Sequence, residues 1–178
     1  MIDSGHGLAL GPLNSYHCDI IRNWRNDYRI WRRCRQNDLI SDFDQSRWFE
    51  SQSKDPTIKM YSILVDNQIV GVCGLTSIDL YNRRAEFSIY IAAEYHGNKH
   101  GEKALKTLLD HAFLNLNLNT VWGETVGENP AMFMFEKVGF EKEGLRREFY
   151  FKDGLYEDSH LYSIQRNRWQ DVRTSWGE

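Results

Sequence analysis

The sequence predicts a mixed α/β (α+β) fold: a mostly antiparallel central sheet of about seven strands with helices on both faces. Three observations carry that expectation. Apolar residues alternate in some stretches and recur every three or four positions in others, in the order strand, two helices, three strands, helix, strand, helix, two strands. Asp66-Asn67 and Asp153-Gly154 each separate two runs rich in β-branched or aromatic residues, as the turns of hairpins do. No Pro-, Gly- or Ser-rich linker and no repeat interrupts the 178 residues, so one domain over 1–178 is expected.

The elements follow in order. A first strand falls near "LALGPL". "HCDIIRNWRNDYRIWRR" places Ile20, Ile21, Trp24, Tyr28 and Trp31 mostly three and four apart, which predicts an amphipathic helix over about 16–34. "FDQSRWFESQSK" is a second, shorter one. "MYSILVDNQIVGVCGLTSI" reads as the first hairpin, and "RRAEFSIYI" as a strand with Phe87, Ile89 and Ile91 on one face. "GEKALKTLLDHAFLNL" is a helix whose apolar face is Ala104, Leu105, Leu108, Leu109, Ala112 and Phe113. "NTVWGETV" is the next strand, "NPAMFMFEKVG" a short helix stopped by Gly139, and "REFYFKDGLYEDSHLYSI" the last hairpin.

Composition excludes several classes of function. Twenty-two Lys and Arg against twenty-five Asp and Glu give a net charge of −3, which is not that of a polycation built to coat nucleic acid. Cys18, Cys34 and Cys73 are odd in number and lack C-x-x-C spacing, so neither a disulfide framework nor a zinc site is expected. His6, His17, His111 and His160 have no ligand-like spacing, and no metal is assigned. "MIDSGHGLAL" lacks a basic region followed by a long apolar one, and no run approaches the roughly 18 apolar residues that cross a bilayer. A soluble, unprocessed, cytoplasmic chain without a membrane partner is expected.

The loop "EYHGNKHGEK" carries the first chemical signal. A strand that ends in a glycine-bearing turn and feeds a helix leaves backbone N–H groups pointing outward at the positive end of the helix dipole. Gly97 and Gly101 would let a phosphate approach the main chain, with Lys99 and Lys103 in reach. On spacing alone, phosphate binding and an ordinary strand-to-helix turn with solvated lysines stand as alternatives.

"RRAEFSIYIAAEYHGNKHGEKALKTLLDHAF" and "NLNTVWGETVGENPAMFMFEKVGFEKEGLRREFYFKDGLYED" together resemble the GNAT superfamily of acetyl-CoA-dependent N-acetyltransferases. The resemblance covers nearly the whole chain and is nearest the branch that holds Rim-type, spermidine and amino-sugar N-acetyltransferases. That family's Q/R-x-x-G-x-G/A motif falls on His96, Lys99 and Gly101, so two of its three defining residues differ here. The resemblance implies acetyl-CoA as co-substrate, held by the main chain of Ile89, Tyr90 and Ile91 and by the loop residues His96, Gly97, Asn98, Lys99, His100, Gly101 and Glu102. It also implies contacts from Asn129 and from Phe135.

The resemblance further assigns the reacting centre. Glu86 is the carboxylate expected near the amine, as proton acceptor or as a counter-charge, and Glu124 is a second candidate on the adjacent strand. A Glu beside Arg83 and Arg84 is equally readable as an ion-paired strand residue. Phe135 stands where the family usually has a tyrosine that protonates the leaving thiolate, so Tyr90 or water would take that role. A thiol pKa near 8.5 makes thiolate departure feasible with modest help.

Arg22, Arg25, Arg29, Arg32 and Arg33 recur at helical spacing, joined by Arg35. The corresponding helix lines the acceptor side in related enzymes, so Arg25 and Trp31 are expected there, and an anionic amine such as a nucleotide-linked amino sugar is the expected acceptor. The alternatives are a protein N-terminus, a polyamine, or a non-catalytic acyl-CoA or nucleic-acid binding module. A plainly solvated face pairing with Asp19 and Asp27 is the simpler reading of the stripe. A homodimer is left open.

Overall fold

A computed structural model describes residues 1–3, 5 and 7–177; His6 lies outside the described residues. Among the described residues, eight strands form one sheet in the order β1-β2-β3-β4-β5-β6-β8-β7. They are β1 (Ile2–Asp3), β2 (Ala9–Pro12), β3 (Lys59–Val65), β4 (Gln68–Asp79), β5 (Arg84–Ile91), β6 (Thr120–Val126), β7 (Glu141–Lys152) and β8 (Leu155–Gln165). Every pairing is antiparallel except that of β5 with β6. The strand beyond the expected seven is the two-residue β1, too short to show a period. Both hairpins turn where expected. Asp66 and Asn67 sit at φ 49° and 61°, and Asp153 and Gly154 at φ 50° and 80°, the positive values that match strand twist.

Helices α1 (Cys18–Asn26), α2 (Tyr28–Trp31) and α3 (Asp42–Lys54) precede β3, and α4 (His100–Asp110), α5 (Ala131–Val138) and α6 (Arg166–Arg173) follow β5. The larger core joins α4, α5 and α6 to one face through Leu105, Leu108, Phe135, Val138 and Trp169. A smaller core on the other face packs Ile21, Trp24 and Ile30 against Val72. β4 is buried without a break from Val70 to Leu75, as a central strand covered on both faces must be. Cys73 is fully buried there, the apolar filler its position suggests. The three cysteines are free, and no helix among the described residues is long and apolar enough to cross a membrane.

Two helices depart from expectation: α6 follows the last strand where none was predicted, and the first predicted helix is interrupted. The continuous helix over 16–34 breaks at Asp27, whose backbone is extended (φ −65°, ψ 125°) and whose carboxylate accepts the Arg29 N–H at 2.9 Å. Asp27 therefore caps a new, four-residue helix. Periodicity alone missed the break because the apolar spacing continues through it. The new helix ends at Trp31, so residues 32–37 are not helical. A smaller departure closes α4, which continues through a π-helical turn at His111–Asn115.

Candidate active site

The single parallel pairing sets the position of the site. β5 and β6 are bonded only over Arg84–Glu86 and Thr120–Trp122; then both run on, to Ile91 and Val126, without each other. The resulting fork opens a cleft of about 1060 Å³. Gly123 lies at the fork, where a Cβ would meet the Phe87 ring at 2.5 Å. The β5 edge beyond Glu86, including Ile89, Tyr90 and Ile91, has no neighbouring strand on the cleft side. Such an edge offers main-chain donors and acceptors to an extended amide-bearing ligand.

The loop after β5 closes one end. Gly97 has φ 84° and Lys99 φ 59°, so the lysine at the N-cap of α4 holds the left-handed conformation. That conformation costs a non-glycine residue roughly 1–2 kcal/mol. The His96 Nε2–H donates to the Ile91 carbonyl at 2.9 Å and ties the loop to the strand end. His100 opens α4 with Nδ1 buried and lacking a protein partner. Gly101 lets α5 approach, since a Cβ there would lie 2.9 Å from the Met134 sulfur. Glu102 binds Lys106 at 2.9 Å and Lys137 at 2.8 Å, joining α4 to α5. Burial pushes its carboxyl up, and the two lysines outweigh that and hold it below its ordinary value. All of these loop residues line the cleft except Asn98, whose amide donates to the Tyr95 and His96 carbonyls and so fastens the turn.

Asn129 lines the far wall, but its side chain is engaged locally. It donates to Thr125 Oγ1 at 2.7 Å and accepts the Ala131 N–H at 3.0 Å, which starts α5. Phe135 is buried below the fork, edge-on to Phe87 at 5.0 Å and to Tyr162 at 5.7 Å. Its ring carries no proton to give.

Side chains at Glu86, Ser88 and Tyr90 share the face of β5 that α1 and α2 cover, opposite Phe87, Ile89 and Ile91. Tyr90 packs in the smaller core with the Arg25 guanidinium 5.5 Å over its ring. Burial pushes its phenol up, which makes it a weaker acid than a free tyrosine. Tyr90 lies four strand positions beyond Glu86, a distance of about 13 Å along β5.

The densest constellation lies where β5 and β6 part. Glu86 on β5 and Glu124 on β6 have side chains only 8% and 5% exposed, and one guanidinium spans them. Arg35 gives Nη2 to Glu86 at 2.8 Å and Nη1 to Glu124 at 2.9 Å. Glu124 is also held by Arg146 at 3.0 Å, Tyr150 at 2.7 Å and Ser159 at 2.7 Å. Burial would raise its carboxyl; the donors from Ser159, Tyr150 and Arg35 keep it below its ordinary value. The Tyr150 phenol is pushed up to about 12 by burial and by its bond to Glu124. Among the described residues, Glu86 has besides Arg35 only the Thr76 hydroxyl at 3.4 Å. Of the two carboxylates, Glu86 alone keeps accepting capacity for a ligand.

The arginine stripe becomes a wall. Arg25, Arg29, Arg32, Arg33 and Arg35 line the cleft, whereas Arg22 does not and lies 3.6 Å from Asp19. Arg29 pairs with Asp27, and Arg33 donates to the Glu128 carbonyl at 2.9 Å. Trp31 does not line the cleft. Its indole donates to the Asn37 carbonyl at 3.2 Å and its ring lies under the Lys152 ammonium at 4.5 Å. Sequence reasoning missed the Arg35 bridge and the Arg146, Tyr150 and Ser159 shell. Arg35 was visible as a charge, but its reach to two strands depends on how β5 and β6 lie in the fold.

Comparisons with known proteins agree with this geometry. The family model described as an acetyltransferase (GNAT) domain matches residues 8–141. A spermidine N(1)-acetyltransferase of Vibrio cholerae is 30% identical over 158 residues, covering 79% of this chain and 89% of that one. A putative ribosomal N-acetyltransferase of Bacillus subtilis is 31% identical over 109 residues, 61% of this chain and 60% of that one. Among solved structures, spermidine N-acetyltransferase from Vibrio cholerae in complex with CoA and spermine superposes with a TM-score of 0.87 at 25% identity, over 92% of this chain and 98% of that one.

Proposed function

The chain belongs to the GNAT acetyltransferase family and is thereby an N-acetyltransferase, and from that premise we propose its donor, acceptor class and mechanism. The donor is acetyl-CoA. The acceptor is a primary amine on a molecule that also carries an anionic group, as a nucleotide-linked amino sugar does. Residues 1–178 act as one catalytic domain.

The observation that carries the reading is the fork, with a bare β5 edge on one side and an arginine wall on the other. The residues fit a CoA thioester. Ile89, Tyr90 and Ile91 present the strand edge to pantetheine amides, and the Gly97–Gly101 turn, the α4 N-terminus and the unpartnered His100 Nδ1 suit phosphate oxygens. Bound acetyl-CoA supplies an acetyl thioester that the neutral amine attacks directly in a ternary complex, the C–S bond breaking as the sulfur leaves with its electron pair. Glu86 faces the acceptor side and accepts the ammonium proton, directly or through water. Tyr90 carries the phenol hydroxyl to which we assign the return of a proton to the sulfur, a role Phe135 cannot fill. The arginine wall holds the acceptor's anionic group.

A second reading is favoured by relatives and structural neighbours named for spermidine. In that reading the Glu86 and Glu124 pair receives a polyamine. One experiment separates them: titrate the protein with acetyl-CoA, then follow thiol release with an amino-sugar nucleotide, spermidine and N-terminal peptides. Thiol release with the sugar nucleotide is expected; release with spermidine alone selects the second reading. Absence of acetyl-CoA binding overturns the donor assignment and leaves a non-catalytic module.

A further inference from the structure

We propose that Arg35 is a built-in counter-cation that decides acceptor specificity: its guanidinium occupies the place between Glu86 and Glu124 that an ammonium of a polycationic acceptor would otherwise take. The inference rests on the acetyltransferase reading of the cleft, though its test does not depend on turnover.

Two buried carboxylates on diverging strands would make a strong cation site. In this chain the protein fills that site itself. Both terminal nitrogens of Arg35 are committed, one to each strand, at 2.8 and 2.9 Å. Arg146 supplies a second positive charge to Glu124. The local charges therefore cancel, Glu86 and Glu124 against Arg35 and Arg146, before any ligand enters. Around this neutral centre stand Arg25, Arg32 and Arg33 on the same wall, so a second ammonium on an acceptor meets net positive charge. An acceptor with one amine and an anionic group does not.

Position also favours a removable plug over a structural tie. The Arg35 side chain is 48% exposed while its two partners are nearly buried, so it reaches in from the surface. It sits beyond the end of α2, on residues 32–37, and not on a packed helix face. Loss of Arg35 leaves Glu124 with three other donors and leaves Glu86 with only the long Thr76 bond. The vacancy so created is specific to Glu86 and is negative.

The test is calorimetric titration with spermidine, without acetyl-CoA, of the wild type, Arg35→Gln, Arg35→Lys and the Arg35→Gln/Glu86→Gln double variant. Arg35→Gln is expected to bind spermidine about tenfold more tightly than wild type, and the double variant to return to the wild-type value. Arg35→Lys keeps a charge but cannot span both strands, and a gain of about twofold to threefold is expected. Equal spermidine affinity in wild type, Arg35→Gln and Arg35→Lys overturns the proposal, as does a gain that survives in the double variant. Should Arg35→Gln not fold, Arg35→Lys against wild type decides by the same criterion. Failure of the acetyltransferase reading would show differently, as absent acetyl-CoA binding in the wild type.

Discussion

Lys99 shows how one residue can carry a conformational cost for a chemical gain. It holds φ 59° at the start of α4, where glycine would be unstrained, and it places an ammonium at the end of the cleft assigned to phosphate. Lys99→Gly should raise stability by about 1 kcal/mol, read from the urea midpoint, because the left-handed strain disappears. The same variant should bind acetyl-CoA about threefold to tenfold more weakly by calorimetry, through loss of one charge-assisted contact. Tighter binding would mean that the ammonium contributes nothing there. Phe135 poses the complementary case: its ring packs edge-on to Phe87 and Tyr162 and tilted against Phe140, so its contribution is packing.

At the scale of elements, the break between α1 and α2 does most to shape the acceptor side. Asp27 ends one helix and caps the next, and it also pairs with Arg29. The bonds from Arg29 hold its carboxyl below the ordinary value, so the cap is intact throughout neutral pH and weakens only as pH falls through that lowered value. Asp27→Ala should cost about 1 kcal/mol of stability in urea unfolding, the usual worth of such a cap. It should also raise the acceptor's KM with little change in the KM for acetyl-CoA, because α2 leads into the segment that carries Arg32, Arg33 and Arg35. Equal effects on both KM values would show that the break does not position the acceptor wall. The β7–β8 hairpin supports the same wall from outside, with Asp153 accepting from the Tyr28 hydroxyl at 2.7 Å.

For the whole molecule, Glu124 is the point where distant segments meet. Its carboxylate gathers Arg35 from the segment after α2, Arg146 and Tyr150 from β7, and Ser159 from β8. Its folded pKa lies below the ordinary 4.5, so its contribution is fully present above that value and is lost as pH falls through the lowered one. Glu124→Gln should therefore lower stability near neutral pH by about 1–3 kcal/mol and flatten the loss of stability on acidification below pH 4.5. Urea unfolding across pH reads both. An unchanged acid slope would mean that other carboxylates dominate acid unfolding.

Beyond the two-residue β1 and the final helix α6, which it missed, the sequence by itself determined the order of strands and helices, both hairpin turns, the loop that opens α4, and the family. Each is a local property, written in period, turn residue or motif over ten to twenty positions, and it survives packing because the core enforces the same pattern. Tertiary structure alone decided the rest. Parallel pairing of β5 and β6 ends after three residues on each strand, and nothing in either strand's own residues states where a partner stops. The helix over 16–34 broke because Asp27 found a cap, a competition that apolar spacing does not register. Arg35 acquired its two carboxylates only once β5 and β6 lay side by side, and the Trp31 side chain lies outside the cleft, against the Asn37 carbonyl and Lys152. Contacts between residues some fifty to ninety positions apart are set by the folding of the sheet as a whole, so the chemistry of this site was legible by residue type and not by arrangement.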